Sequence, residues 1–265
     1  MSKIKLLIKY LVYRFCRKGT RGHGLHSPFV YKFNRDVLND RIQYPEYLEI
    51  KEFRRSLMNR NERIQTRDHG ARSKIFSSEH RKIKDILKYS GTSYRMGKLL
   101  FRLARYMHPK TVVELGTSLG FGTFCLSRGT EQGMVYTLEA CPSLIKMASY
   151  LHDKTGAGNI EILEGDIGNT LPQLLDQLER VDLVYFDGDH RKEALLWQFR
   201  QCLPKAVPGT VFIIDDINWS PGMNEAWKMI CREPSVSLSI DLFEFGLLIF
   251  RQGMAKQHFK LSYSG

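Results

Sequence analysis

The sequence predicts an α/β fold, an open sheet with helices on both faces and a helical extension at its N-terminus. Three observations predict it. A β-branched run, Thr111-Val112-Val113, leads through Glu114 into a glycine-rich turn with glycines at 116, 120 and 122. Further short apolar runs follow at helix-length intervals, and each ends in a carboxylate, as expected when strand ends line one crevice. The charge is also unevenly divided. Residues 1–100 contain 24 Lys and Arg against 9 Asp and Glu, a balance of +15, whereas residues 101–265 contain 16 against 19, a balance of −3. Such asymmetry predicts a separate basic module in front of the sheet.

Residues 3–18 read as a helix with one apolar and one basic face, broken by Gly19, Gly22 and Gly24. The loop His23-Gly-Leu-His26-Ser-Pro-Phe29 follows, and Pro28 stands where a new helix can begin. His23 and His26 read as hydrogen-bonded loop residues rather than metal ligands. Helical spacing covers 28–38 and 45–59, residues 66–78 are polar and read as a loop, and helical spacing resumes over 78–87. A helix over 93–107 then leads into the first strand.

That strand, its glycine turn and the helix opening at Phe121 form a nucleotide-type site. Glycine lets a ligand approach the backbone, and the helix N-terminus offers free N–H groups. The spacing is G-x-x-x-G-x-G, not the dinucleotide G-x-G-x-x-G. Val135–Leu138 is the second strand and ends at Glu139, where an acid can accept both hydroxyls of a ribose. Residues 159–163 alternate into Glu164-Gly165-Asp166. Residues 181–186 run into Asp187-Gly-Asp189-His190, and 209–214 into Asp215-Asp216. Residues 236–241 and 245–250 read as a closing strand pair, and the tail after Gln252 has little pattern.

Taken in order, these motifs resemble the class I S-adenosylmethionine-dependent methyltransferases over residues 93–250. The resemblance rests on E-x-G-x-x-x-G, an acid closing the second strand, G-D after the third and D-G-D-H after the fourth, and it is strongest to the small-molecule O-methyltransferase branch. It implies a Rossmann-like methyltransferase sheet with a reversed C-terminal strand. The segments expected are a basic helical cap or lid (1–92), an S-adenosylmethionine-binding domain (93–252) and a tail (253–265).

The resemblance also implies roles. Gly116, Ser118, Gly120 and Gly122 would hold the methionine portion of the cofactor, with Glu114 near the amino group or the turn. Glu139 would accept the ribose diol, and Asp166 the adenine amino group, with Ile167 against the ring. Asp166 also reads as a helix N-cap before Gly168. Asp187, Asp215 and Asp216 would repel one another unless something positive sits between them, which suggests a divalent cation such as magnesium. Catechol-type enzymes use Asp and then Asp-Asn here, but Ile217 stands where the Asn would fall. The metal-dependent sugar O-methyltransferases, with D-x-x-H and a later acidic pair, are the better match. In that reading Asp187 and His190 are catalytic, His190 as general base. The plainer reading makes His190 a polar residue in the first turn of the next helix.

A hydroxylated small molecule is therefore the expected substrate. RNA methylation is the alternative, suggested by the basic N-terminal segment. Base-nitrogen methylation is disfavoured because Asp187-Gly-Asp-His190 replaces the D/N-P-P-Y/F turn of enzymes that stack a flipped base. A protein that holds the cofactor without turnover is a third class. Residues 3–18 also suit peripheral contact with anionic lipid. Five scattered cysteines without a C-x-x-C pair, and the lack of a signal-peptide pattern or a spanning apolar stretch, lead us to expect a cytoplasmic protein.

Overall fold

A computed structural model describes residues 3–16, 26–66 and 80–264. The chain begins with helices α1 (Lys3–Cys16) and α2 (Pro28–Phe33), the latter running into a π-helical turn (Asn34–Leu38), and then α3 (Glu46–Met58). Two short strands, β1 (Arg63–Gln65) and β2 (His80–Lys82), pair antiparallel. Helices α4 (Ile83–Tyr89) and α5 (Tyr94–Met107) precede the alternating part. That part runs β3 (Thr111–Leu115), α6 (Phe121–Gly129), β4 (Met134–Glu139), α7 (Pro142–Thr155), β5 (Ile160–Glu164), α8 (Ile167–Gln177), β6 (Val181–Phe186), α9 (Lys192–Cys202) and β7 (Ala206–Ile214). It ends with α10 (Pro221–Ile230), β8 (Leu238–Asp241), β9 (Gly246–Ile249) and β10 (Gln257–Lys260). β3 to β10 belong to one mixed sheet of eight strands, the expected α/β architecture with its reversed C-terminal strand.

The contacts divide the chain into two compact units. One combines Met1–Arg41 with Leu178–Ser264, and the other is Ile42–Gln177. The division differs from the segments 1–92, 93–252 and 253–265 drawn on the sequence, because the two ends of the chain fold together.

In the unit Ile42–Gln177, β3, β4 and β5 are parallel neighbours in register, with Glu114 opposite Thr137 and Glu139 opposite Glu164. Val112, Val113, Leu115, Val135 and Leu138 are fully buried, as expected of strands covered on both faces. Helix α5 starts at a true N-cap, the Ser93 side chain accepting the Met96 amide at 3.1 Å. It packs tightly on α6. A Cβ at Gly97 would lie 2.8 Å from Cys125 Sγ, and one at Gly129 would lie 2.4 Å from the Phe101 carbonyl oxygen. Residues 80–82 form a strand where helical spacing had been expected from residue 78, since Arg63–Gln65 offer a pairing edge that no local pattern reveals.

In the other unit, β6 and β7 are parallel, β9 reverses against β7 and β8, and β10 pairs parallel with β8. The final residues are therefore more than a tail, with Leu261 and Tyr263 buried. Asn39 donates to the Ser262 carbonyl at 3.1 Å, and the Ser264 amide to the Leu38 carbonyl at 2.9 Å. Helix α1 is held through buried Tyr13, whose hydroxyl donates to the Leu261 carbonyl. Among the described residues, no helix is long and apolar enough to cross a membrane.

Candidate active site

The glycine turn is the conformational centre of the first group. Gly116 (φ 101°), Ser118 (φ 50°) and Gly120 (φ 76°) all adopt left-handed backbone conformations, which only glycine takes without cost. Ser118 is the exception, and non-glycine residues in this region cluster at functional sites. The turn is fastened to the sheet by the Gly116 and Thr117 amides, both donating to the Leu138 carbonyl at 3.0 and 3.2 Å.

Glu139 ends β4 at the edge of this turn. Its Oε2 accepts the Ser118 amide at 2.9 Å, and its Oε1 accepts the Ala140 and Cys141 amides at 3.0 and 2.9 Å. Three backbone donors thus fix the plane of a half-buried carboxylate. A fixed two-oxygen acceptor at a strand end suits vicinal hydroxyls.

Glu114 lies elsewhere than at a ligand surface. It is 1% exposed and sits beneath the turn, where its Oε2 accepts Thr137 Oγ1 at 2.7 Å and Thr123 Oγ1. Burial pushes its carboxyl up to about 7, opposed by these two hydrogen bonds. In this structure Glu114 braces the turn from below. Of its two expected places, near a cofactor amino group or at the turn, the structure puts Glu114 at the turn.

Asp166 realises the plainer of its two readings. Its Oδ1 accepts the Gly168 amide at 2.8 Å, and its carbonyl accepts the Asn169 and Thr170 amides, so it caps α8. The side chain remains exposed, with Ile167 half-buried beside it, so capping and recognition of an amino group are compatible. Gly122 is buried in the first turn of α6.

The sequence reading missed His152. It is buried on α7, its Nε2 lies 3.0 Å from the Gly120 carbonyl oxygen, and its ring stacks on Phe53 at 6.0 Å. Burial holds its pKa below the usual imidazole range, so the neutral ring donates to the turn while Nδ1 is buried without a partner. A Cβ at Gly120 would lie 2.7 Å from this imidazole, so glycine is needed there for space as well as for φ.

The second group lies in the other unit. Asp187, Asp215, Asp216 and His190 do come together, and Tyr185 joins them. The Tyr185 hydroxyl donates to Asp187 Oδ2 at 3.1 Å and reaches Asp215 Oδ2 at 3.5 Å. His190 Nε2 lies 3.8 Å from both Asp187 Oδ1 and Asp216 Oδ2. Asp215 is driven well above the carboxylate range by burial and then by Asp187 and Asp216. That rise favours the neutral form of Asp215 in its hydrogen bond to Asp187. Burial also raises Asp216, and His190 opposes that rise. Asp189 leaves the cluster to pair with Arg191.

This arrangement bears on the expected metal. Burial favours the neutral form of Asp215, and the His190 ring stands between Asp187 and Asp216, so repulsion among the three acids is eased without an ion. Among the described residues, no group of three His, Cys, Asp or Glu side chains is disposed to hold a metal ion. Tyr185 was legible in principle, since residues two apart on a strand share a face. His152 carried no local signal.

The comparisons with known proteins fall on this same stretch. A family described as a methyltransferase domain matches residues 113–217, from β3 to just beyond Asp216. The likeness to a methyltransferase domain thus lies on residues 113–217. The chain is 34% identical over 127 residues to a catechol O-methyltransferase of Mycobacterium tuberculosis, covering 47% of this chain and 56% of that protein. It is 30% identical over 128 residues to one from Niastella koreensis, covering 47% and 57%. The chain thus spans little more than half the length of these relatives. Around residues 113–217, the fold is similar to that of the O-methyltransferase TomG from Streptomyces achromogenes. That similarity has a TM-score of 0.57 and 20% identity, over 84% of this chain and 95% of the other.

Proposed function

We propose that this protein transfers a methyl group from S-adenosylmethionine to a hydroxyl of a small molecule. The observation that carries the reading is the Glu139 carboxylate, held by three backbone amides at the edge of a turn with three left-handed residues. Gly116, Ser118, Gly120 and Gly122 would hold the methionine portion, Glu139 the ribose and Asp166 with Ile167 the adenine. Glu114 and His152 would support the turn from beneath. When bound, the sulfonium cofactor supplies an electrophilic methyl group.

The remaining chemistry is proton removal, because a neutral hydroxyl is a weak nucleophile. His190 is the base in this proposal, flanked by Asp187 and Asp216, which stabilise the imidazolium that forms when it accepts the proton. Tyr185 and Asp215 keep Asp187 oriented. No step is assigned to a metal.

The similarity to catechol O-methyltransferases supports a hydroxylated acceptor, with vicinal aromatic diols as the first class to try. The RNA alternative finds no support in these relatives. The test is mass spectrometry of acceptors incubated with the protein and methyl-labelled S-adenosylmethionine. A labelled product from a diol, lost on His190→Gln, is the expected outcome. Label entering RNA but no small hydroxyl acceptor would overturn the reading.

A further inference from the structure

A cavity of about 650 Å³ opens in the unit that joins the two ends of the chain, lined by α1, α10, β8 and β10. It uses none of the residues assigned to methyl transfer. Five cations face it, Lys9, Lys228, Arg232, Lys256 and Lys260, against one carboxylate, Asp241. Such an excess is unusual for a concave surface, because like charges gathered around a partly dehydrated space repel. At Lys9, burial first and then Lys228 lower the pKa, Asp241 opposes the shift and Lys260 adds to it.

The cations are also left available. Among the described residues none of the five makes a salt bridge, and the described hydrogen bond from this set runs from Lys256 to the Glu233 carbonyl at 2.6 Å. They come from three separated stretches of chain, so a single solvated helix face does not account for them. The lining also has an apolar and aromatic part, made of Val12, Tyr13, Trp227 and Phe243. Tyr13 is locked there by its hydroxyl contact to the Leu261 carbonyl and by its ring, 5.2 Å from that of Phe243. This part is therefore preformed.

From this juxtaposition we infer that the cavity binds a phosphate ester, its phosphoryl group among Lys9, Lys228 and Lys260 and its organic portion against Trp227 and Phe243. A phosphoryl group carries up to two negative charges and three acceptor oxygens, which suits several ammonium groups converging on one space. A single carboxylate would leave most of them unpaired. The organic portion is required by the aromatic wall, which inorganic phosphate would leave wet.

The ester can be a soluble metabolite or the headgroup of a lipid. The second source has its own support. Helix α1 contributes Lys9 to the cavity and leaves Leu7, Ile8, Leu11 and Phe15 exposed along its length, Phe15 at 88%. Apolar side chains of this kind beside a cationic pocket are suited to a membrane surface.

Two probes separate the sources. Phenyl phosphate is titrated calorimetrically into the full chain, and vesicles of phosphatidylcholine with or without phosphatidic acid are sedimented with it. Lys228→Gln with Lys260→Gln is the test variant, and Arg232→Gln alone is the milder one; unchanged thermal unfolding establishes that each is folded. Saturable phenyl phosphate binding, weakened at least about tenfold in the double variant, supports a soluble ester. Sedimentation only with phosphatidic acid, lost in the double variant, supports a lipid headgroup. Absence of both, or binding that neither variant weakens, overturns the inference.

Discussion

The Ser118 amide and the Glu139 carboxylate are joined by a 2.9 Å hydrogen bond, made from a serine held at φ 50°. The strained residue of the glycine turn therefore aims its N–H at the acid that ends the next strand. Backbone conformation and charge placement at this site are one arrangement.

Ser118→Gly is expected to keep the turn and leave stability unchanged or slightly raised, since glycine relieves a left-handed strain of about 1–2 kcal/mol. Ser118→Val should lose stability by a similar amount, because a β-branched residue resists this conformation. Denaturant unfolding of the two variants checks this. Equal stability of glycine and valine variants would show that the turn does not demand φ above zero.

Glu114 predicts a pH dependence of folding. Its folded-state pKa, about 7, lies above the ordinary carboxyl value of 4.5, so the folded state binds the extra proton between those values. This contribution is fully present below the unfolded value and is lost as pH rises towards and through 7. The span corresponds to about 3 kcal/mol. Glu114→Gln should flatten that part of the stability profile and make the variant the more stable protein above neutral pH. Unfolding curves across this range that run parallel for both proteins would contradict the assignment.

His190→Gln should lower the rate of methyl transfer by about 10²–10⁴-fold, the usual contribution of a positioned base, with cofactor affinity unchanged. Single-turnover rates and calorimetry measure the two quantities. A parallel loss of affinity would make His190 a structural residue.

Asp215→Asn separates the protonated cluster from a metal site. A protonated carboxyl and an amide are both neutral, so the variant should fold, keep its rate and lose the destabilisation that accompanies rising pH. A carboxylate that ligates a metal would lose its charge in the change and hold the ion more weakly. Activity that depends on magnesium and disappears with Asp215→Asn would restore the metal reading.

Much of this was legible in the sequence because the signals are local. The runs Thr111–Leu115, 135–138 and 181–186 are apolar and β-branched, and the acids behind them sit at strand ends because strands end where apolar residues do. Positions set by distant partners were not legible. Glu114 looked like a site residue, yet its role depends on Thr123 and Thr137 reaching it from α6 and β4. His152 comes 32 residues after Gly120, and only the packing of α7 brings them together. Residues 257–260 have too short a pattern to announce a strand, and the open edge of β8 makes them one. The expectations for His23 and for most of the 66–78 loop fall outside the described residues.

The central claim is cofactor recognition through Glu139, and calorimetric titration of S-adenosylhomocysteine tests it most directly. The account predicts saturable binding at one site in the wild-type chain, weakened by at least about tenfold in Glu139→Ala, since a charge-assisted hydrogen bond contributes about 1.5–3 kcal/mol. No saturable heat with the wild-type protein, or the same dissociation constant for the variant, would contradict it.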